Sequence, residues 1–111
     1  MAERAGPDLL PGTLHIMILH VLRNGSLHGY AIAKRIKDSS RGDLVVEEGS
    51  LYPALNRLLL KGWLESEWGL SDNSRKARFY RLTSAGRKRL QQETGEFKRL
   101  IRAIGLVLES T

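Results

Sequence analysis

SDNSRKARFYRLTSAG, Ser71 to Gly86, is the stretch that decides the fold. SDNSRK (Ser71 to Lys76) is a polar turn, Ala77 to Leu82 is a strand, and a helix opens at Thr83 or Ser84. Upstream, Trp63 to Trp68 reads as the first strand of a hairpin bent at Gly69 to Ser74. Arg75, Lys76 and Arg78 stand at the tip and the start of the returning strand, with no acid between Asn73 and Arg81.

Immediately before the hairpin, GSLYPALNRLLLKGW (Gly49 to Trp63) reads as a short helix. The spacing predicts a start near Ser50, a good N-cap residue, with Pro53 in the first turn, where a missing N–H costs nothing. Leu51, Leu55, Leu58 and Leu59 form its inward face; Tyr52, Pro53, Asn56, Arg57 and Leu60 are left outside, and Gly62 ends it. A helix followed at once by a basic-tipped hairpin outlines a winged helix-turn-helix. The expected fold class is therefore α+β, mainly helical, with a C-terminal dimerisation helix.

The remaining segments fit that outline. Residues 1–10 read as a loose arm, 11–82 as the winged helix-turn-helix domain, and 83–111 as the C-terminal helix. A first helix runs from Pro11 or Gly12 to Arg23. Leu14, Met17, Ile18, Val21 and Leu22 repeat at helical spacing, while Ile16 and Leu19 are apolar on another face. A helix apolar on two faces is expected to bury both, one of them against a partner subunit. Asn24 and Gly25 stop it, Ser26 to Gly29 make a tight connection, and a second helix spans Gly29 to Asp38 with Ile32, Ala33 and Ile36 inward. After a turn at Ser39 to Gly42, Leu44 to Val46 reads as a short strand. In the last helix, Leu90, Thr94, Phe97, Ile101, Ile104 and Leu108 are spaced 4, 3, 4, 3, 4, which is an a/d seam. Intramolecular packing on the first helix would use the same seam, and both arrangements fit.

With 111 residues, a single modest core is expected. The absence of cysteine excludes disulfides and cysteine-ligated metal. No apolar run reaches membrane-spanning length and the N-terminus lacks a signal-peptide h-region, so the expected location is cytoplasmic and no membrane partner is expected. A net charge of +6 and a pI near 10.1 favour polyanionic partners. His15, His20 and His28 lack metal-ligand spacing, and no phosphate-binding glycine loop or nucleophile elbow occurs, so neither cofactor nor enzymatic activity is expected.

Tyr, Asn and Arg on the first turns of an outward helix face suit a major groove, and cations on a wing suit phosphates or the minor groove. A solvated helix face and an ordinary polar hairpin tip are the plainer readings of the same residues. Arg87, Lys88 and Arg89 at the start of the last helix oppose its dipole and read as a solvated face with some compensation nearby.

GTLHIMILHVL, SLHGYAIAKRI, EEGSLYPALNRL, KGWLESEWG and RKARFYRLTSAGRKRL, in that order, closely resemble the PadR family of bacterial transcriptional regulators from about Leu10 to the C-terminus. The length resembles the small subgroup with one C-terminal helix, and the wording around the wing is most similar to its acidobacterial-type branch. The resemblance implies a homodimer with two winged modules, joined through the first and last helices, that binds pseudo-palindromic double-stranded operators; family members are mostly repressors. It implies DNA contacts at Ser50, Tyr52 and Asn56, at Arg75 and Lys76 in the wing, and more weakly at Lys34; Arg57 and Arg78 join them from the charge pattern. The dimer interface is expected at Leu14, Ile18, Leu90, Phe97, Ile101, Ile104 and Leu108. Some small members take an aromatic or apolar effector beside an aromatic residue of the last helix, and Phe97 matches that position without an indole N–H. Where the family often has a charged residue after the RL of the recognition helix, this chain has Leu59 and Leu60. The alternative from another class is a winged-helix module that binds protein or RNA without operator specificity.

Overall fold

The computed structural model describes residues 12–111, so the expected N-terminal arm lies outside the described residues. The order is α1 (Thr13–Val21), β1 (Leu27–His28), α2 (Gly29–Ser39), α3 (Glu48–Leu60), β2 (Leu64–Leu70), β3 (Lys76–Leu82) and α4 (Ser84–Glu109). Four helices contribute to one core, α4 through Leu90, and a three-stranded antiparallel sheet of order β1-β3-β2 closes its side.

α1 is the central helix. Leu14, Ile18 and Val21 are buried on its main face, and Leu19, on the other, is also fully buried. Both faces are thus covered within the protomer, because α2, α3 and α4 all pack around this helix. The expectation that one face awaits a partner is corrected accordingly: Leu14 and Ile18, and Leu90 from α4, are sealed in the protomer's own core. Among the apolar residues of α1, Ile16 and Met17 stay half-exposed.

α2 begins at a histidine cap: Nδ1 of His28 accepts from the Ala31 N–H at 3.2 Å. It ends in a turn that uses positive φ at Arg41 and Gly42, with the Gly42 N–H donating to the Lys37 carbonyl at 2.8 Å. Leu44 to Val46, expected as a strand, pairs with nothing and belongs to no strand. The sheet position beside β3 is filled instead by Leu27 and His28, which pair with Tyr80 and Phe79. The β-branched stretch contributes Val46 to the core and crosses to α3 without a ladder.

α3 starts earlier than expected. Its N-cap is Glu47, whose carbonyl accepts from the Ser50 and Leu51 N–H groups at 3.0 and 2.9 Å. Ser50 is therefore inside the first turn, and Pro53 falls in the second, where it leaves the carbonyl of exposed Gly49 without its helical donor. Glu48 in the first turn complements the helix dipole. Leu51, Ala54, Leu55 and Leu58 hold the helix to the core, and Gly62, at φ 77, reverses the chain into β2.

β2 and β3 pair from Leu64↔Leu82 to Leu70↔Lys76, two residues further toward the tip than the expected strand end at Trp68. Ser71 and Arg75 close the turn, the Ser71 N–H donating to the Arg75 carbonyl at 2.9 Å. Thr83 then joins wing to helix: its Oγ1 accepts from the Gly86 N–H at 3.0 Å and donates to the Gly62 carbonyl at 2.6 Å. α4 extends for 26 residues, and past Leu90 none of its residues is buried.

Candidate nucleic-acid interface

A concave groove of about 940 Å³ opens between the start of α2, the outer side of α3 and the wing. It gathers five of the eight residues expected to contact DNA: Lys34, Tyr52, Arg75, Lys76 and Arg78. Each arrives by a separate piece of local chemistry.

Tyr52 lies on the second turn of α3, opposite the buried Leu51, Ala54 and Leu55, and keeps 42% of its surface exposed. Its ring rests on the first residue of α2. A Cβ at Gly29 would meet Tyr52 Oη at 2.5 Å, so glycine is what lets the phenol seat there. The phenol is thereby held at the groove floor, its hydroxyl between the two helices. Tyr80, beneath it on β3, is buried, and burial pushes its hydroxyl above the ordinary tyrosine range against a smaller opposing pull from Arg78.

Lys34 reaches the groove from α2, where its Nζ donates to Asp38 at 2.8 Å. That bond raises the ammonium pKa and lowers the carboxyl pKa. Both groups are exposed, so the pair is weak and exchangeable. Arg75 and Lys76 stand exposed at the tip, and Lys76 Nζ lies 5.3 Å from the Trp68 ring centroid. Arg78 is anchored lower, its Nε donating to Ser66 at 2.9 Å and its guanidinium lying 5.8 Å from the Tyr80 ring.

Arg81, the fourth cation of the returning arm, is on the opposite face and bridges Glu65 at 2.8 Å and Glu67 at 3.7 Å. Glu65 and Glu67 are therefore spent on the wing's far face, and the groove face of β3 keeps Lys76 and Arg78. The pleat explains this division, since successive residues of β2 and β3 alternate sides.

Ser50 and Asn56 are exposed on α3 but do not line the groove. Arg57 is turned away altogether. Its Nε donates to Nε2 of His15 on α1 at 3.5 Å, on the flank away from Tyr52. His15 is held below the usual histidine range, first by partial burial, then by Arg57 and Lys61, with Glu93 opposing. Arg57 is exposed, as expected of an outward residue, but it does not line the groove: one residue past Asn56 is a rotation of about 100° on a helix. Leu60 is 87% exposed, as the pattern indicated.

Tyr30 and Trp68 also line the groove, and the sequence pattern did not single them out. Trp68 shares the pleat face of Ser66 and of Arg78, its cross-strand partner. The alternation of Leu64, Ser66 and Trp68 within the expected strand carries that signal.

The basic run at the base of α4 is compensated locally. Arg87 donates to the Arg23 carbonyl just after α1 at 3.2 Å. Arg89 pairs with Glu93 and lies 4.8 Å from the Trp63 ring, which Lys61 approaches to 5.0 Å on its own account.

A second, more apolar cleft of about 480 Å³ lies between α1, the end of α2 and α4. Ile16, Met17, Leu44, Phe97 and Ile101 line it, with His20 and Lys98 at its edge. Of the expected dimer residues, Phe97 is half-buried there, whereas Ile101, Ile104 and Leu108 are exposed to 54%, 48% and 78%. No group of metal-ligating residues occurs among the described residues, and no described helix is long and apolar enough to cross a membrane.

Comparison with known proteins agrees with this architecture. A transcriptional regulator of Mycobacterium tuberculosis is 34% identical over 91 residues, covering 82% of this chain and 81% of its own length. A transcriptional regulator structure from Clostridium thermocellum superposes with a TM-score of 0.78 at 29% identity, covering 89% of this chain and 96% of that one. The structure of Bacillus subtilis PadR in complex with operator DNA superposes with a TM-score of 0.67 at 25% identity, covering 78% of this chain and 48% of that longer one. The model of the transcriptional regulator PadR-like family matches residues 18–92, from the middle of α1 through the wing to the first turns of α4, and the chain belongs to that family of transcriptional regulators, which are not enzymes.

Proposed function

We propose that this regulator binds double-stranded operator DNA as a homodimer and acts as a repressor. The observation that carries the reading is the groove in which Lys34, Tyr52, Arg75, Lys76 and Arg78 converge. α3 supplies the major-groove reader, with Ser50, Tyr52 and Asn56 outward, and the wing supplies phosphate contacts. The complex of Bacillus subtilis PadR with operator DNA supports the same use of the fold here.

The homodimer reading rests on the bare apolar side of α4. Leu100, Ile101, Ile104, Leu106, Val107 and Leu108 are all about half exposed or more, and a soluble chain does not leave such a stripe open to water. A second α4 laid against it would bury the seam and set two readers about one helical turn of DNA apart, roughly 34 Å. Residues 11–82 then act as the reader and 83–111 as the dimerisation helix, in a cytoplasmic protein. The cleft beside Phe97 borders that interface and suits an aromatic or apolar effector, which would bias the dimer between DNA-competent and incompetent arrangements.

Protection mapping on the chain's own upstream DNA tests the reading. The expected result is a two-fold symmetric footprint with affinity well above that for random duplex at the same salt. Equal affinity for random duplex, or preference for RNA, would move the protein to the non-specific class.

A further inference from the structure

Tyr30 and Trp68 face the groove from opposite walls, 73% and 64% exposed, although both are large aromatic residues. Each is set beside cations. Lys34 follows Tyr30 by one helical turn on the same side of α2. On the wing, Lys76 overlies Trp68, and Arg78 is directly opposite it in the strand register. Four cations line the groove against a single carboxylate, Asp72, at the hairpin turn.

We propose that this groove clasps one sugar–phosphate strand of duplex DNA, with Tyr30 and Trp68 against deoxyribose rings and Lys34, Lys76 and Arg78 on the flanking phosphates. The inference rests on the DNA-binding reading and deepens it. A nucleic-acid strand alternates apolar sugar with anionic phosphate, and each wall alternates aromatic with cation. An apolar peptide would leave the cations without partners, and an acidic peptide would leave the exposed rings without use. Lys34 is already close to its task, because it only has to exchange Asp38, an exposed partner, for a phosphate.

The two aromatic residues add contact area without charge, so their contribution differs from that of the wing cations. Removing Trp68 lowers affinity for specific and random duplex alike, by about tenfold, and leaves the salt slope unchanged. Removing Lys76 lowers the slope.

Trp63 and Trp68 are the only tryptophans, which makes the test direct. In the Trp63→Phe protein, Trp68 is the sole indole, and acrylamide quenching is measured with and without saturating duplex. Strong protection of Trp68 on binding is expected. Saturation by labelled duplex, seen as anisotropy, with Trp68 still fully quenched would overturn the clasp and leave DNA binding intact. No anisotropy change with any duplex would instead defeat the DNA-binding reading itself. Greater protection by single-stranded oligonucleotide than by duplex would replace the proposed occupant. Should Trp63→Phe fail to fold, Trp68→Ala in the otherwise unaltered chain decides: undiminished affinity, or a changed salt slope, refutes the proposal.

Discussion

The carbonyl oxygen of Trp63 occupies the space that a Cβ at Gly86 would need. A side chain there would also press on the Trp63 carbonyl carbon at 2.9 Å and on Leu82 at 3.2 Å. The same carbonyl accepts from the Thr83 N–H at 3.1 Å, so it cannot move without opening the joint between the wing and α4. Gly86→Ala is therefore expected to destabilise the fold by on the order of 3 kcal/mol, although alanine favours helices, because the obstacle is backbone. Urea denaturation checks this, with exposed Ala85→Gly as the control, expected to lose about 1 kcal/mol at most.

Gly29→Ala has the opposite character. The atoms that a new methyl would strike belong to the outer end of the Tyr52 side chain, which can swing away. The fold should survive with a change in stability of about 1 kcal/mol or less, while DNA affinity falls as Tyr52 leaves its seat. In a double-mutant cycle, Gly29→Ala should cost almost nothing further once Tyr52 is already alanine. Full additivity of the two substitutions would show that Tyr52 acts independently of α2.

Replacing Arg75 and Lys76 together by alanine should weaken DNA binding and reduce the slope of log affinity against log salt by up to about 1.8, near 0.9 for each phosphate that is no longer neutralised. Arg57→Ala should leave that slope as it is, because Arg57 faces His15 and not the groove. Equilibrium titrations at several salt concentrations distinguish the two.

Ile101→Asp should turn a dimer into a folded monomer, because it sets an unpaired carboxylate in the seam of α4. Leu90→Asp should instead unfold the protomer, since Leu90 is 7% exposed within its own core. Sedimentation together with circular dichroism separates these outcomes, and an intact Ile101→Asp dimer would place the interface elsewhere.

His15 and His20 both lie below the usual histidine value of 6.5, each first through burial and then through neighbouring cations, Arg57 and Lys61 for His15 and Arg23 and Lys98 for His20. The unfolded chain therefore takes up protons before the folded one does. Stability is fully present above pH 6.5 and declines as pH falls from there toward the lowered folded values. His15→Gln should flatten part of that decline, measured as urea midpoints from about pH 7.5 to about 5. It keeps an acceptor for Arg57, so the loss at neutral pH should be small.

The hairpin, the helix before it and the limits of α4 were legible because each carries a local signal: strand alternation, an apolar face, a Thr83 cap. What was not legible depended on competition between distant segments. Leu44 to Val46 has the composition of a strand, yet Leu27 and His28 take the place beside β3, and no local pattern reveals which segment wins. Leu14, Ile18 and Leu90 belong to a helical repeat, but a repeat does not say whether its partner is another helix of the same chain or of a second copy. Within the candidate site, Tyr52 and the wing cations could be read from position and charge, and Lys34 only from the family resemblance. Arg57 could not, because its direction was decided by His15, 42 residues away. Trp68 shares its pleat face with buried Leu64 yet is 64% exposed, and alternation alone does not say where along a strand the core ends.

Within the protomer, α4 is buried only near its start, at Gly86 and Leu90. Its 26 residues extend about 39 Å, at 1.5 Å per residue, from the Thr83 and Gly86 joint. A rod of that length multiplies whatever happens at its foot: a tilt of about 5° carries the far end through roughly 3 Å. Close to a single base-pair step, that displacement makes the crowded contact between Trp63 and Gly86 a fulcrum for the reach of the whole molecule.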